Sequence, residues 1–240
     1  MAFTKKKIAV VVVASLAVLV LALVWLPGHW GAIFPGHSQA APDLKVVVER
    51  IANGDATADF KFKTIPGPAR TSAATFATFS VVAGGQGVNG ARVEKLPHFL
   101  LPDSPDAPGA NFFFRDGSDG GRILVDLNRT VGIQQINTYS WHKSDRGPQL
   151  YKLYASDGAP DGTSLESHGS SDLLAAGWKL LATVDTRPKS GEPGGQYGVS
   201  ITSPSGLIGN YRYLLFECQR TEEKDLWGNT FYSQIDVIAK

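Results

Sequence analysis

A single cysteine, Cys218, in 240 residues leaves no partner for an internal disulfide. An exported fold of this chain must therefore rest on core burial alone. A charge imbalance is missing as well. Lys and Arg number 23 against 22 Asp and Glu, for a net charge of +1, which offers no basic footprint for nucleic acid. His29, His37, His98, His142 and His168 show no zinc-ligand spacing, and Cys218 has no second thiolate beside it. The sequence has no Gly-x-Ser-x-Gly elbow and no Gly-x-x-x-x-Gly-Lys loop, so two common routes to hydrolysis and phosphate binding lack their signatures. Long amphipathic helical patterns are scarce too.

What is present first is an N-terminal signature of export. Lys5, Lys6 and Lys7 close a basic segment, residues 1–7, ahead of an uncharged apolar run over residues 8–26. As a helix rising about 1.5 Å per residue, the run spans about 28 Å, close to the hydrocarbon thickness of a bilayer. Lysines before the run, with no comparable basic cluster directly after it, predict a cytoplasmic N-terminus and an exported remainder. The run has no polar face, which argues against a buried core helix. It reads as a transmembrane signal-anchor, with Trp25 and Trp30 placed for the interfacial belt, or as a signal peptide cleaved near Ala40 after Ser38-Gln39-Ala40. The expected location is membrane-anchored with the domain outside, at a cell surface or in a periplasm, or secreted if cleavage occurs.

Residues 27–42 are rich in Gly, Pro, His and Ala and read as a linker. Residues 44–51 read as a strand or a short helix within an N-terminal extension, 43–74, which the break Ile65-Pro66-Gly67-Pro68 sets off. From residue 75 to 240 the pattern is a series of short β-rich runs between turns: 78–82, 111–114, 122–127, 133–141, 150–155, 178–184, 197–201, 211–218 and 231–238. Such spacing predicts an antiparallel sandwich or barrel. Residues 156–177 read as an inserted surface loop with a helical turn near Asp172-Leu173-Leu174.

Five of these runs, in order, resemble discoidin domains, also called coagulation-factor type C or galactose-binding-like domains. Gly120-Gly121-Arg122-Ile123-Leu124-Val125-Asp126-Leu127 is similar to their strand ending in Asp-Leu, and Ile133 to Trp141 to the strand that follows. Tyr151-Lys152-Leu153-Tyr154-Ala155-Ser156-Asp157-Gly158 resembles the element ending in Ser-x-Asp-Gly, with Trp178 standing for its later tryptophan. Tyr211-Arg212-Tyr213-Leu214-Leu215-Phe216 and the closing Phe231-Tyr232-Ser233-Gln234-Ile235-Asp236-Val237 complete the series. The resemblance covers residues 75–240. It implies an all-β, jelly-roll β-sandwich whose end loops bind carbohydrate, lipid headgroups or protein without catalysis, here preceded by one N-terminal helix. It also raises a structural calcium, which many carbohydrate-binding members hold with an early Asp-Gly loop and a late glutamate. This chain has Gln234 at the late position and no early Asp-Gly, with Asp103 and Asp106 as the remaining oxygen donors.

The candidate ligand-binding residues are Trp141, His142, Asp145 and Arg146, beside Lys143, with Trp227 as a second aromatic before the last strand. An aromatic face covers the C–H surface of a sugar ring, while His, Asp and Arg bond its hydroxyls. The competing reading makes Trp141 a plug that closes the sandwich end and Arg146 one member of an ordinary ion pair. Trp178 is expected in the core, and residues 222–225 in a solvated charged turn. Asp103 and Asp106 are a carboxylate pair of the kind glycosidases need, without a sequence reason to place them across a bond. The expectation is an exported, non-catalytic binding module for a glycan, or a structural or interaction domain for a cell-surface protein. The membrane is expected as a partner through the N-terminal helix.

Overall fold

The computed structural model describes residues 39–41, 43–158, 165, 170–222 and 227–240. The apolar run 8–26 and the basic segment before it lie outside the described residues. No helix among the described residues is long and apolar enough to cross a membrane.

The described chain is all-β, with nine strands: β1 (Gln39–Ala40), β2 (Lys45–Ile51), β3 (Thr78–Ala83), β4 (Gly120–His142), β5 (Leu150–Ser156), β6 (Lys179–Asp185), β7 (Gly195–Thr202), β8 (Gly209–Gln219) and β9 (Tyr232–Ala239). One short helix, α1 (Ser170–Ala175), falls in the expected insertion. All strand pairings are antiparallel. The run 111–114, expected as a strand, contributes only single bridges, Phe112 to Tyr232 and Phe114 to Gln86. Its three phenylalanines serve packing instead.

Strand β4 organises the rest. The sequence suggests two strands, 122–127 and 133–141, and the structure joins them into one of 23 residues. Its first half lies between β3 and β8, and its second half between β7 and β9. The switch occurs at an irregularity where the β8 register jumps between Asp126 and Val131 and Asn128 takes φ +62°. Asp126 fastens the bend by accepting the Asn128 N–H at 2.8 Å and both arms of Arg212 at 2.8 and 2.9 Å. A bulge of this kind bends a strand and lets it pass from one layer to another.

The order β1-β6-β5-β8-β4-β3 thus makes one layer and β2-β7-β4-β9 the other. Between them lies the main core. Ile123, Leu153, Val184 and Leu214 from the first layer meet Ile136, Val199, Ile201 and Val237 from the second, each fully buried. A polar contact crosses the layers where Thr138 of β4 meets Tyr151 Oη of β5 at 3.0 Å. Trp178 is buried as expected, in a smaller cluster with Tyr154, Leu173 and Leu215.

The extension 43–74 is built into the second layer. β2 pairs with β7 over its whole length, from Lys45 opposite Thr202 to Ile51 opposite Gln196. The chain then crosses the outer face of that layer as a strap. The Glu49 carboxylate accepts the N–H groups of Lys63, Thr64 and Ile65 at 2.7, 2.6 and 3.2 Å. Tyr139 Oη donates to the Pro66 carbonyl at 2.6 Å, and Asp236 accepts the Ala69 N–H at 2.7 Å. Phe60 and Ile65 of the strap are buried against Tyr139 and Trp141.

Candidate functional site

Three loops are tied together by hydrogen bonds to backbone carbonyls beyond the ends of β4 and β9. The 143–149 loop joins β4 to β5, and its Lys143 N–H donates to the Pro105 carbonyl at 2.9 Å. The Arg146 carbonyl accepts the Phe231 N–H at 2.9 Å, and the Asp145 carbonyl accepts Thr221 Oγ1 at 2.7 Å. Thr230 Oγ1 closes the seam on the Pro148 carbonyl at 2.6 Å. Gly194 lets β7 approach this seam, because a Cβ there would collide with the Lys143 carbonyl. That glycine serves close backbone contact.

The five residues singled out in the sequence take four different places. Trp141 is not an open platform: only 3% of it is exposed. Side chains alternate across a strand, and Trp141 shares the outer face of β4 with Tyr139. There the strap covers it, with Phe60 edge-on to its ring at 5.9 Å and its Nε1 donating to Asn53 Oδ1 at 3.1 Å. His142 points the other way and is also buried, its ring edge-to-face with Phe231 at 4.7 Å. Its Nδ1 accepts the Ser144 N–H at 3.0 Å. Burial, and then the nearby Arg146 charge, lower the His142 pKa to about 4. The imidazole is therefore neutral at pH 7, and its 3.9 Å approach to Asp106 is not an ion pair. His142 positions the loop.

Arg146 and Trp227 converge. They line a concavity of about 190 Å³ together with Asn89, Asp106 and Asp116, over a floor of Phe113 and Phe231. The two floor rings stack at 4.6 Å and 10°. The Arg146 guanidinium lies over Phe231 at 4.8 Å, a cation–π placement that holds it flat while leaving its N–H groups available. It makes no hydrogen bond or ion pair among the described residues. Trp227 is 50% exposed and the neighbouring Val88 87%. Asp106 bonds Lys143 Nζ at 2.5 Å, and that bond holds its carboxyl below the usual carboxylate range. Asp145 is turned away, into a separate concavity beside Pro148, Arg187 and Thr221.

Asn89, Asp116 and the Phe113–Phe231 floor do not stand out in the sequence. Their loops, around Gly84-Gly85-Gln86-Gly87 and Asp116-Gly117-Ser118, look like plain turns, and turns carry no sign of which side chains converge.

The calcium donors do not fit the ion. Calcium takes about six to eight oxygens, several of them carboxylate. Gln234 instead donates its Nε2 to the Ala69 carbonyl and to Asp236 Oδ1, both at 2.7 Å, leaving a buried Oε1 without a partner among the described residues. Asp106 is engaged by Lys143. Among the described residues no group of three or more His, Cys, Asp or Glu is placed to hold a metal.

No protein-family model matches the chain, and no curated protein matches it. The solved structures that do match include carbohydrate-binding modules. One is a family 32 module from a family 31 glycoside hydrolase of Clostridium perfringens, 8% identical, covering 68% of this chain and 93% of that one, with a TM-score of 0.42. Another is a chitosan-binding module of Paenibacillus sp. IK-5 in complex with chitotriose, 12% identical, covering 70% and 99%, with a TM-score of 0.42. A third is reduced XRCC1 bound to the DNA polymerase β catalytic domain, 13% identical, covering 66% and 93%, also at 0.42.

Proposed function

We propose that this chain is an exported, non-catalytic carbohydrate-binding module, a jelly-roll sandwich of the discoidin-like kind tethered through its N-terminal apolar run. The observation that carries the reading is the Arg146–Trp227 concavity. A half-exposed indole, and a guanidinium that rests on Phe231 and makes no hydrogen bond among the described residues, face one pocket sized for a single sugar ring. The indole suits the C–H face of a pyranose, while Arg146 donates to its hydroxyls and Asp116 and Asn89 accept from them. The chemistry of the pocket favours binding over hydrolysis. A glycosidase keeps one carboxyl protonated near neutral pH as general acid. The Asp106 carboxyl is pushed the other way by Lys143, and the His142 imidazole is committed to Ser144.

A second reading follows from Val88 and Trp227, which together put exposed apolar surface on the rim and suit a protein partner. A glycan array separates the two. The full-length wild-type chain is expected to give discrete signals that Trp227→Ala and Arg146→Ala both abolish. An array that stays blank for the wild type would reject the carbohydrate reading in favour of the protein partner.

A further inference from the structure

Asp145 and Arg146 are consecutive, yet they line different concavities. The 143–147 loop is the wall between them. The second concavity is bordered by Asp145, Pro148, Arg187, Gly191, Pro193 and Thr221, and its volume of about 230 Å³ is close to the 190 Å³ of the first. Each is the size of one sugar ring. The wall is rigid, because Asp145, Arg146 and Pro148 are all held at their carbonyls, by Thr221, Phe231 and Thr230 in turn. Thr221 borders the second concavity and Trp227 the first.

The second concavity has the parts a sugar needs. The Asp145 carboxylate meets no hydrogen-bond partner among the described residues, so its oxygens are open to hydroxyl donors. Arg187 is fixed by Asp185, with Nε on Oδ1 at 3.0 Å and Nη2 on Oδ2 at 2.8 Å, which orders the guanidinium before any ligand arrives. Pro148 and Pro193 supply apolar surface for C–H groups. Two ring-sized depressions on either side of one shared ridge suit adjacent residues of one chain.

We propose that the ligand is an oligosaccharide that crosses the 143–147 loop, with one residue in the Arg146–Trp227 concavity and the next in a second subsite at Asp145 and Arg187. This rests on the carbohydrate reading above.

The test is titration calorimetry of the full-length chain against three matched series. These are galactose with its β-1,4-linked di- and trisaccharides, glucose with cellobiose and cellotriose, and N-acetylglucosamine with chitobiose and chitotriose. In the series that binds, affinity is expected to rise about tenfold or more from mono- to disaccharide, as a second set of contacts is added. Asp145→Ala is expected to erase that rise while leaving monosaccharide affinity within about twofold of wild type. Arg146→Ala is expected to weaken every length. Asp145→Asn, which keeps an oxygen acceptor, should retain part of the gain. Affinity independent of length, or a gain that survives in Asp145→Ala, would overturn the second subsite while leaving the first intact. If no member of any series binds the wild type, the carbohydrate reading fails and the subsite falls with it.

Discussion

Trp141 and Trp227 are both singled out by the sequence, and the structure sends them to opposite fates. Trp141 stands on a regular strand and is covered. The strap comes from a segment some eighty residues earlier, lays Phe60 on the indole and gives its Nε1 a partner in Asn53. Trp227 stands in a loop and half of it remains in solvent. The covered side of the molecule is therefore a folding device, and the open side keeps the Arg146 guanidinium over Phe231 and half of the Trp227 ring in solvent. Residue type does not separate the two tryptophans. What separates them is whether another part of the chain is laid over the ring.

The largest effect is expected on the covered side. Trp141→Ala removes a buried ring and the indole N–H bond to Asn53, and should cost ~3–5 kcal/mol of unfolding free energy, in the range of large-to-small core changes. Urea denaturation measures it. A loss below ~1 kcal/mol, the size of an ordinary surface change, would mean that the strap is not packed and that the contrast with Trp227 is false.

The next effect is a pH dependence confined to the strap. Asp236 is buried between Ala69 and Gln234, and burial raises its carboxyl to about 6, partly offset by the Ala69 N–H and the Gln234 amide. No cation is among the groups that shift it; Tyr139, on β4 two residues beyond Asn137, the residue paired with Asp236, feels its charge. The folded chain therefore holds this proton more tightly than the unfolded chain does, whose carboxyl titrates near 3.9. The sign follows by linkage: the stabilising contribution is full below that unfolded value and is lost as pH rises through about 6. Its size is on the order of 2–3 kcal/mol, because each tenfold gain in proton affinity is worth ~1.4 kcal/mol. Asp236→Asn should flatten the stability profile between pH 4.5 and 7 in chemical denaturation. Equal slopes for wild type and variant would show that the carboxylate is solvated and the strap loose at that point.

The strands themselves are legible because short runs rich in β-branched, aromatic and other apolar residues recur at β5, β6, β8 and β9, and the turns between them are rich in Gly, Asp and Pro. The two-layer arrangement follows from their order. The second half of β4 reads wrongly for a physical reason. Between Ile136 and His142 its inward positions are small and polar, Thr138 and Ser140, while its outward positions are Tyr139 and Trp141. Beside His142, Asp145 and Arg146, Trp141 then looks like part of one ligand-binding group in a loop. The face is closed by residues 56–69, and a cover that arrives from so far along the chain leaves no local signal. The candidate site is legible only in part for the same reason. Arg146 and Trp227 stand out as residue types in loops, but their convergence depends on the bonds from Phe231 and Thr230 to the 143–149 loop. Asp145 and Arg146 look like one group because they are neighbours in sequence, yet the turn between Ser144 and Gly147 points them into different concavities.

The smallest effect on stability is expected where the effect on binding is greatest. Trp227→Ala removes an indole that is half in solvent at a loop tip, so the unfolding free energy should change by no more than ~0.5 kcal/mol. Arg146→Ala gives up a cation–π contact at a partly exposed position and should cost ~0.5–1 kcal/mol. Both are measured by the same urea titration as Trp141→Ala, which places the three substitutions on one scale. If Trp227→Ala instead approaches the cost of Trp141→Ala, the ring belongs to the framework. The concavity would then lack its aromatic wall, and the exposed Val88 rim would have to act without it. A small cost in stability joined to a complete loss of glycan signal is the outcome that assigns the exposed indole to the ligand, because a side chain that the fold does not need has been kept exposed at the mouth of a preformed pocket.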